Sequence, residues 1–202
     1  MKIIALSCIP LDLEISCFGT LSKYIKDGHE VSLIISQSEQ IWTKEALNAI
    51  KASSRIIGIS QIYFVKELNL SSVTQDNVNK LRSHIESLNP TVAIFPSIRT
   101  QDERRKTFAK SSLLACRGIG NIIMYDPQKN PNFHPSIYSI MNGELEVKDL
   151  CLEKYNRDFR KNKTSKKKMR MLLRSYGLRA GIKTPAEAFE TNRILLLNNT
   201  GF

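Results

Sequence analysis

Residues Lys2 to Cys8 form an almost unbroken apolar run, Lys-Ile-Ile-Ala-Leu-Ser-Cys. A strand wetted on one face alternates polar and apolar side chains. One that is apolar at successive positions has to be covered on both faces, as inside a parallel sheet with helices above and below. Val31 to Ser36 has the same character. Between the two, Cys17, Leu21, Tyr24 and Ile25 recur at helical spacing from a start near Glu14 or Ser16, and Gly28 supplies the stop. Strand, helix and second strand make a βαβ unit, whose crossover is right-handed.

The alternation continues. Thr43 to Ile57 reads as a helix ended by Gly58, and Ile62 to Val65 as a third strand. Val73 to Leu88 is helical until Asn89-Pro90 breaks it, and Val92 to Phe95 is a fourth strand. Arg104 to Cys116 is helical and Asn121 to Tyr125 extended. Tyr138 to Met141 and Glu144 to Val147 flank Asn142-Gly143, a two-residue turn signal that predicts a hairpin. Helical patterns then run from Leu150 through Arg179. The expected fold class is α/β: one doubly wound, Rossmann-like domain over residues 1–202. Its mainly parallel sheet is flanked by helices, with a small hairpin near residues 138–147. A chain of 202 residues, 42% hydrophobic, suffices for one such core. It contains no internal repeat or linker.

No apolar run approaches the ~20 residues a membrane helix needs. The apolar start, Met1 to Leu6, is too short for a signal peptide, and Pro10 and Asp12 interrupt it. Cys8, Cys17, Cys116 and Cys151 have no CxxC spacing and read as buried thiols, so a cytoplasmic location is expected. The net charge of +11 is concentrated in Arg160, Lys161, Lys163, Lys166, Lys167 and Lys168, with Arg170 and Arg174 beyond. Two readings of Arg160–Arg174 stay open. It is a solvated face, or a site for an anionic ligand such as a sugar nucleotide, lipid phosphate or acidic protein. Nucleic acid is not expected, because no helix-turn-helix, zinc finger or ribonucleoprotein motif accompanies the charge.

After the first strand comes Ile9-Pro10-Leu11-Asp12-Leu13-Glu14. This resembles the first active-site motif of the PIG-L/LmbE family, zinc-dependent de-N-acetylases of N-acetylglucosamine conjugates. That motif reads Ala-His-Pro-Asp-Asp, then an apolar residue and Glu. Gly19-Thr20-Leu21, Gly28-His29-Glu30-Val31, Leu88-Asn89-Pro90-Thr91-Val92 and Ala186-Glu187-Ala188-Phe189 match family landmarks in order, so the resemblance covers nearly the whole chain.

The resemblance implies zinc held by the histidine and second aspartate of the first motif and by a histidine of a later His-Pro-Asp-His-Arg motif, leaving a position for water. Here the first histidine is Ile9 and the water-activating aspartate is Leu11. The later motif falls on Thr100-Gln101-Asp102-Glu103-Arg104, without histidine. Asp12 and Asp102 are then vestiges of the catalytic set. Asp12 and Glu103 remain as a weak metal pair, two carboxylates being poor zinc ligands, and no cofactor is expected. Leu11 cannot accept a proton. Ile9, Leu11, Glu14, Arg104 and His134 are the expected pocket residues. His134 is named because its loop lies near the active-site rim in the family; His29 and His84 have ordinary turn and helix positions. Ala46 and Ala49 stand where the family helix carries an arginine and a glutamate, and Leu68-Asn69-Leu70 replaces its Pro-Asp-Gly loop.

The expectation is a PIG-L/LmbE-like protein of glycoconjugate or surface-polysaccharide metabolism without zinc-dependent deacetylase activity. It would be a pseudoenzyme working with a protein partner in glycan biosynthesis or as a homo-oligomer. The alternatives are a hydrolase or transferase on an N-acetylated amino sugar with a remodelled site, and a basic adaptor for nucleic acid or a membrane surface.

Overall fold

A computed structural model describes residues 1–38, 41–127, 130–155 and 166–195. Seven strands form one sheet in the order β3-β2-β1-β4-β5-β7-β6. The strands are β1 (Lys2–Ser7), β2 (Glu30–Gln37), β3 (Gln61–Lys66), β4 (Val92–Pro96), β5 (Asn121–Tyr125), β6 (Ile137–Ile140) and β7 (Ala186–Arg193). The first five are mutually parallel, and β7 runs antiparallel to both β5 and β6. Among the described residues the helices are α1 (Asp12–Ser16), α2 (Phe18–Lys26), α3 (Lys44–Ile57), α4 (Gln75–Leu88), α5 (Glu103–Ala115), α6 (Glu144–Leu152) and α7 (Lys166–Arg179). Among the described residues no helix is long and apolar enough to cross a membrane.

The unbroken apolar character of β1 has the expected cause. Ile3 and Ala5 belong to the core on one side of the sheet, Ile4 and Leu6 to the core on the other. The helices begin and end on sequence-encoded caps: Thr43 and Thr74 accept from the backbone N–H groups of Ala46 and Asn77, and Gly58 closes α3 at φ 92°.

The hairpin expected at 138–147 is not formed. Gly143 does take a positive φ of 103°, but it opens α6, and β6 pairs with β7 instead. Glu144-Leu145-Glu146-Val147 alternates over too few residues to separate a strand from a helix start. Acidic residues in a helical first turn are favourable, and Lys148, Cys151 and Leu152 continue the buried face of α6 at helical spacing. The helical patterns expected from Leu150 through Arg179 fall on the end of α6, at Leu152, and on α7, from Lys166; residues 156–165 lie outside the described residues.

Within the basic segment, Lys167, Lys168, Arg170 and Arg174 are exposed on α7, while Met169 and Leu173 are buried. Arg160, Lys161 and Lys163 lie outside the described residues. The inner face of α7 approaches the chain closely at Gly177, where an added Cβ would stand 2.0 Å from the Thr184 carbonyl oxygen.

Candidate functional site

The carboxyl ends of β1 and β4 flank the point where strand order reverses, the usual location of sites in open α/β sheets. The loop after β1 is held closely. The Ser7 hydroxyl donates to the Ile9 carbonyl at 3.0 Å, and the Trp42 indole N–H donates to the Cys8 carbonyl at 3.0 Å. Leu11 takes a left-handed conformation, φ 74°, uncommon for a bulky residue, and caps α1. Ile9 and Leu11 are both buried, but in the cores on opposite sides of the sheet. Neither offers a polar atom to a ligand.

Asp12, 2% exposed, meets a group the sequence reading did not single out. Arg105, 6% exposed, donates through Nε to Asp12 Oδ2 at 2.7 Å and through Nη2 to Oδ1 at 2.8 Å. Its Nη1 lies 3.3 Å from Asp102 Oδ2, while Asp102 Oδ1 caps α5 by accepting from the Arg105 backbone N–H at 3.0 Å. One guanidinium thus bridges the two aspartates. Burial alone would lower the Arg105 pKa; the charge and hydrogen bonds of Asp12, with Asp102 adding, more than reverse this and hold it above its ordinary value. A planar fork on a carboxylate is the geometry in which arginine binds most strongly.

The other expected residues are more dispersed. Glu103 turns to solvent and pairs with Lys106 at 3.0 Å. Arg104 is half exposed and loosely paired with Asp102 at 3.7 Å. It borders a cleft of about 720 Å³ formed with Gln37, Ser38, Lys66 and Asn69. His134 is exposed, and its backbone N–H donates to Glu190 Oε1 at 2.6 Å. Glu190 also accepts from the Ser97 hydroxyl and pairs with Arg99. Ala46 and Ala49 are buried on the inner face of α3 and belong to the core.

The zinc implied by the resemblance does not fit these residues. Both oxygens of Asp12 are engaged by Arg105, Glu103 points away, and Ile9 and Leu11 are hydrocarbon. Among the described residues no group of three histidine, cysteine, aspartate or glutamate side chains is placed to hold a metal. A buried cation already sits against the carboxylate that would serve as ligand.

Glu14 is buried and accepts from the Tyr155 hydroxyl at 2.6 Å and the Ser53 hydroxyl at 2.8 Å. Burial raises its pKa, and the two hydrogen bonds only partly oppose it. A raised carboxyl pKa means that the folded chain holds the proton more tightly than the unfolded one. The cost of charging Glu14 is therefore absent below its unfolded pKa and grows as pH rises toward the folded value. Glu14→Gln is expected to lose this dependence. In urea titrations its stability relative to the parent should rise between acid and neutral pH. A constant difference would refute it.

A second buried network fastens the same region. Lys148 and Glu187, both fully buried, form an ion pair, and Lys148 Nζ also donates to the Ile15 carbonyl at 2.9 Å. Glu187 accepts from the backbone N–H groups of Gly19 and Thr20 at 2.9 and 2.7 Å and from the Thr20 hydroxyl. This places a carboxylate on the N-terminus of α2, a favourable position.

No protein-family model and no curated protein matches the chain in sequence. Its fold, in contrast, matches solved structures over nearly its whole length. A conserved protein from Thermus thermophilus, TT1542, superposes with a TM-score of 0.82 at 16% identity, covering 99% of each chain. The 4-carboxy-2-hydroxymuconate hydratase GalB from Pseudomonas putida gives 0.77 at 11%, again over 99% of each. The N,N'-diacetylchitobiose deacetylase from Pyrococcus horikoshii gives 0.71 at 15%, covering 94% of this chain and 83% of that one. Such identities establish architecture alone: the chain shares with these proteins a mixed α/β fold, a mostly parallel sheet flanked by helices.

Proposed function

We propose that the chain is a PIG-L/LmbE-like protein of glycoconjugate or surface-polysaccharide metabolism that performs no zinc-dependent deacetylation. It serves there as a cytoplasmic binding or partner subunit, beside another protein or a second copy of itself. The observation that supports this most is the fork of Arg105 on Asp12. Hydrolysis of an amide by the family route needs a metal-bound water and a base to take its proton. In this chain the remaining ligand carboxylate is neutralised by an internal cation, and the base position is Leu11.

A remodelled enzyme, a hydrolase or transferase on an N-acetylated amino sugar, is the second reading. It is favoured by the open cleft beside Arg104 and by the use of this fold in a hydratase. Elemental analysis and acetate release separate the two. The purified protein is expected to hold no stoichiometric zinc and to free no acetate from N-acetylglucosamine conjugates. Stoichiometric zinc together with acetate release would overturn the first reading. The combination Ile9→His, Leu11→Asp and Glu103→His should still bind no zinc while Arg105 is present, because Asp12 remains occupied.

A further inference from the structure

The inner face of α7 is fully used: Met169, Leu173, Tyr176 and Gly177 are buried, and Gly177 abuts the Thr184 backbone. Its outer face is unusual. Met171 is 61% exposed and Leu178 70%, the highest values among the large hydrophobic side chains described. At about 100° per residue, Lys167, Met171, Arg174 and Leu178 fall within an arc of roughly 60°. Packing does not explain two large apolar groups there. Lys167 and Arg174 form no ion pair among the described residues, whereas Arg170 and Lys166 are engaged by Asp149 and Glu153. The arc therefore alternates unneutralised cations with exposed hydrocarbon, on a chain of net charge +11.

We infer that this face of α7 docks on an anionic phospholipid surface. Cations alone would suit any polyanion, and hydrocarbon alone would call for a complementary apolar groove. Isolated apolar side chains flanked by cations suit an interface where each inserts separately among headgroups whose charge the cations meet. The helix is held from behind, so docking requires no unfolding. The inference is independent of whether the site near Asp12 is catalytic.

Cosedimentation with vesicles tests it. The whole protein should bind phosphatidylcholine vesicles containing phosphatidylglycerol, bind pure phosphatidylcholine far less, and dissociate as salt is raised. Met171→Ser with Leu178→Ser should weaken binding roughly tenfold, and Lys167→Glu with Arg174→Glu at least as much. Melting temperatures should be nearly unchanged in both, since these side chains are exposed. The inference is overturned if anionic vesicles are not bound at low salt, or if the apolar pair can be replaced without effect. It is also overturned if single-stranded RNA or an acidic polypeptide displaces the vesicles and binds the Met171→Ser, Leu178→Ser variant as well as the parent.

Discussion

Replacing Arg105 with methionine is expected to cost about 3–5 kcal/mol of folding stability, the range for stranding one member of a buried ion pair. The loss arises because Asp12, 2% exposed, would stay buried without the fork that now satisfies both oxygens. Asp12→Leu alone should be comparably damaging, since it strands the guanidinium with only Asp102 in reach. The double variant is the decisive measurement. Two hydrocarbon side chains in place of the pair should recover most of either single loss, as buried pairs are often replaceable by apolar packing. Urea unfolding of the four proteins gives the coupling directly. Additive losses would mean that Arg105 and Asp12 do not act as a unit and that Asp12 is not closed to a metal by its guanidinium.

The second large effect concerns Lys148 and Glu187. Glu187→Ala is expected to remove about 3–5 kcal/mol and to be the more severe of the two single changes. It strands Lys148 and also releases the Gly19 and Thr20 amides at the start of α2. Lys148→Met leaves Glu187 with its three remaining donors and should cost less. The same order should appear in hydrogen exchange, with the α2 amides losing protection in Glu187→Ala before those of β1 and β4. Equal effects, or loss at Lys148 exceeding that at Glu187, would show that the helix N-terminus does not depend on the carboxylate.

The central sheet was legible in the sequence because burial on both faces leaves no polar alternation to misread, and Gly28, Gly58 and Asn89-Pro90 mark the intervening stops. At the far edge the extended stretch at Tyr138–Met141 was legible and is β6, but β7 was not. β7 carries Glu187 and Glu190 among small and aromatic residues, and glutamates are rarely buried unless paired. Their partners, Lys148, Arg99 and the amides of α2, are distant in sequence, so nothing local reveals the strand. Asn142-Gly143 was misread for a related reason: a positive φ serves a helix start as well as a hairpin turn, and only the following nine residues decide.

The site was legible in outline. The motif positions fixed Asp12 and Asp102 as neighbours of the switch point, and the apolar replacements at Ile9 and Leu11 follow from the sequence itself. Arg105 was missed although a signal existed. Asp102 reads as a helix cap, and a residue three positions after a cap returns to the same side of the first turn. What spacing does not reveal is which of Glu103, Arg104 and Arg105 turns inward, and that choice separates a weak cation site from a closed one.

Trp42 has a practical consequence. It is the single tryptophan of the chain, buried, with its indole N–H bonded to the carbonyl of Cys8 immediately before the Ile9–Glu14 motif. The protein therefore carries an intrinsic optical reporter at the loop whose chemistry is in question. Its emission and its accessibility to quenchers register whether that loop opens when a sugar, a partner or a vesicle is added, without any label.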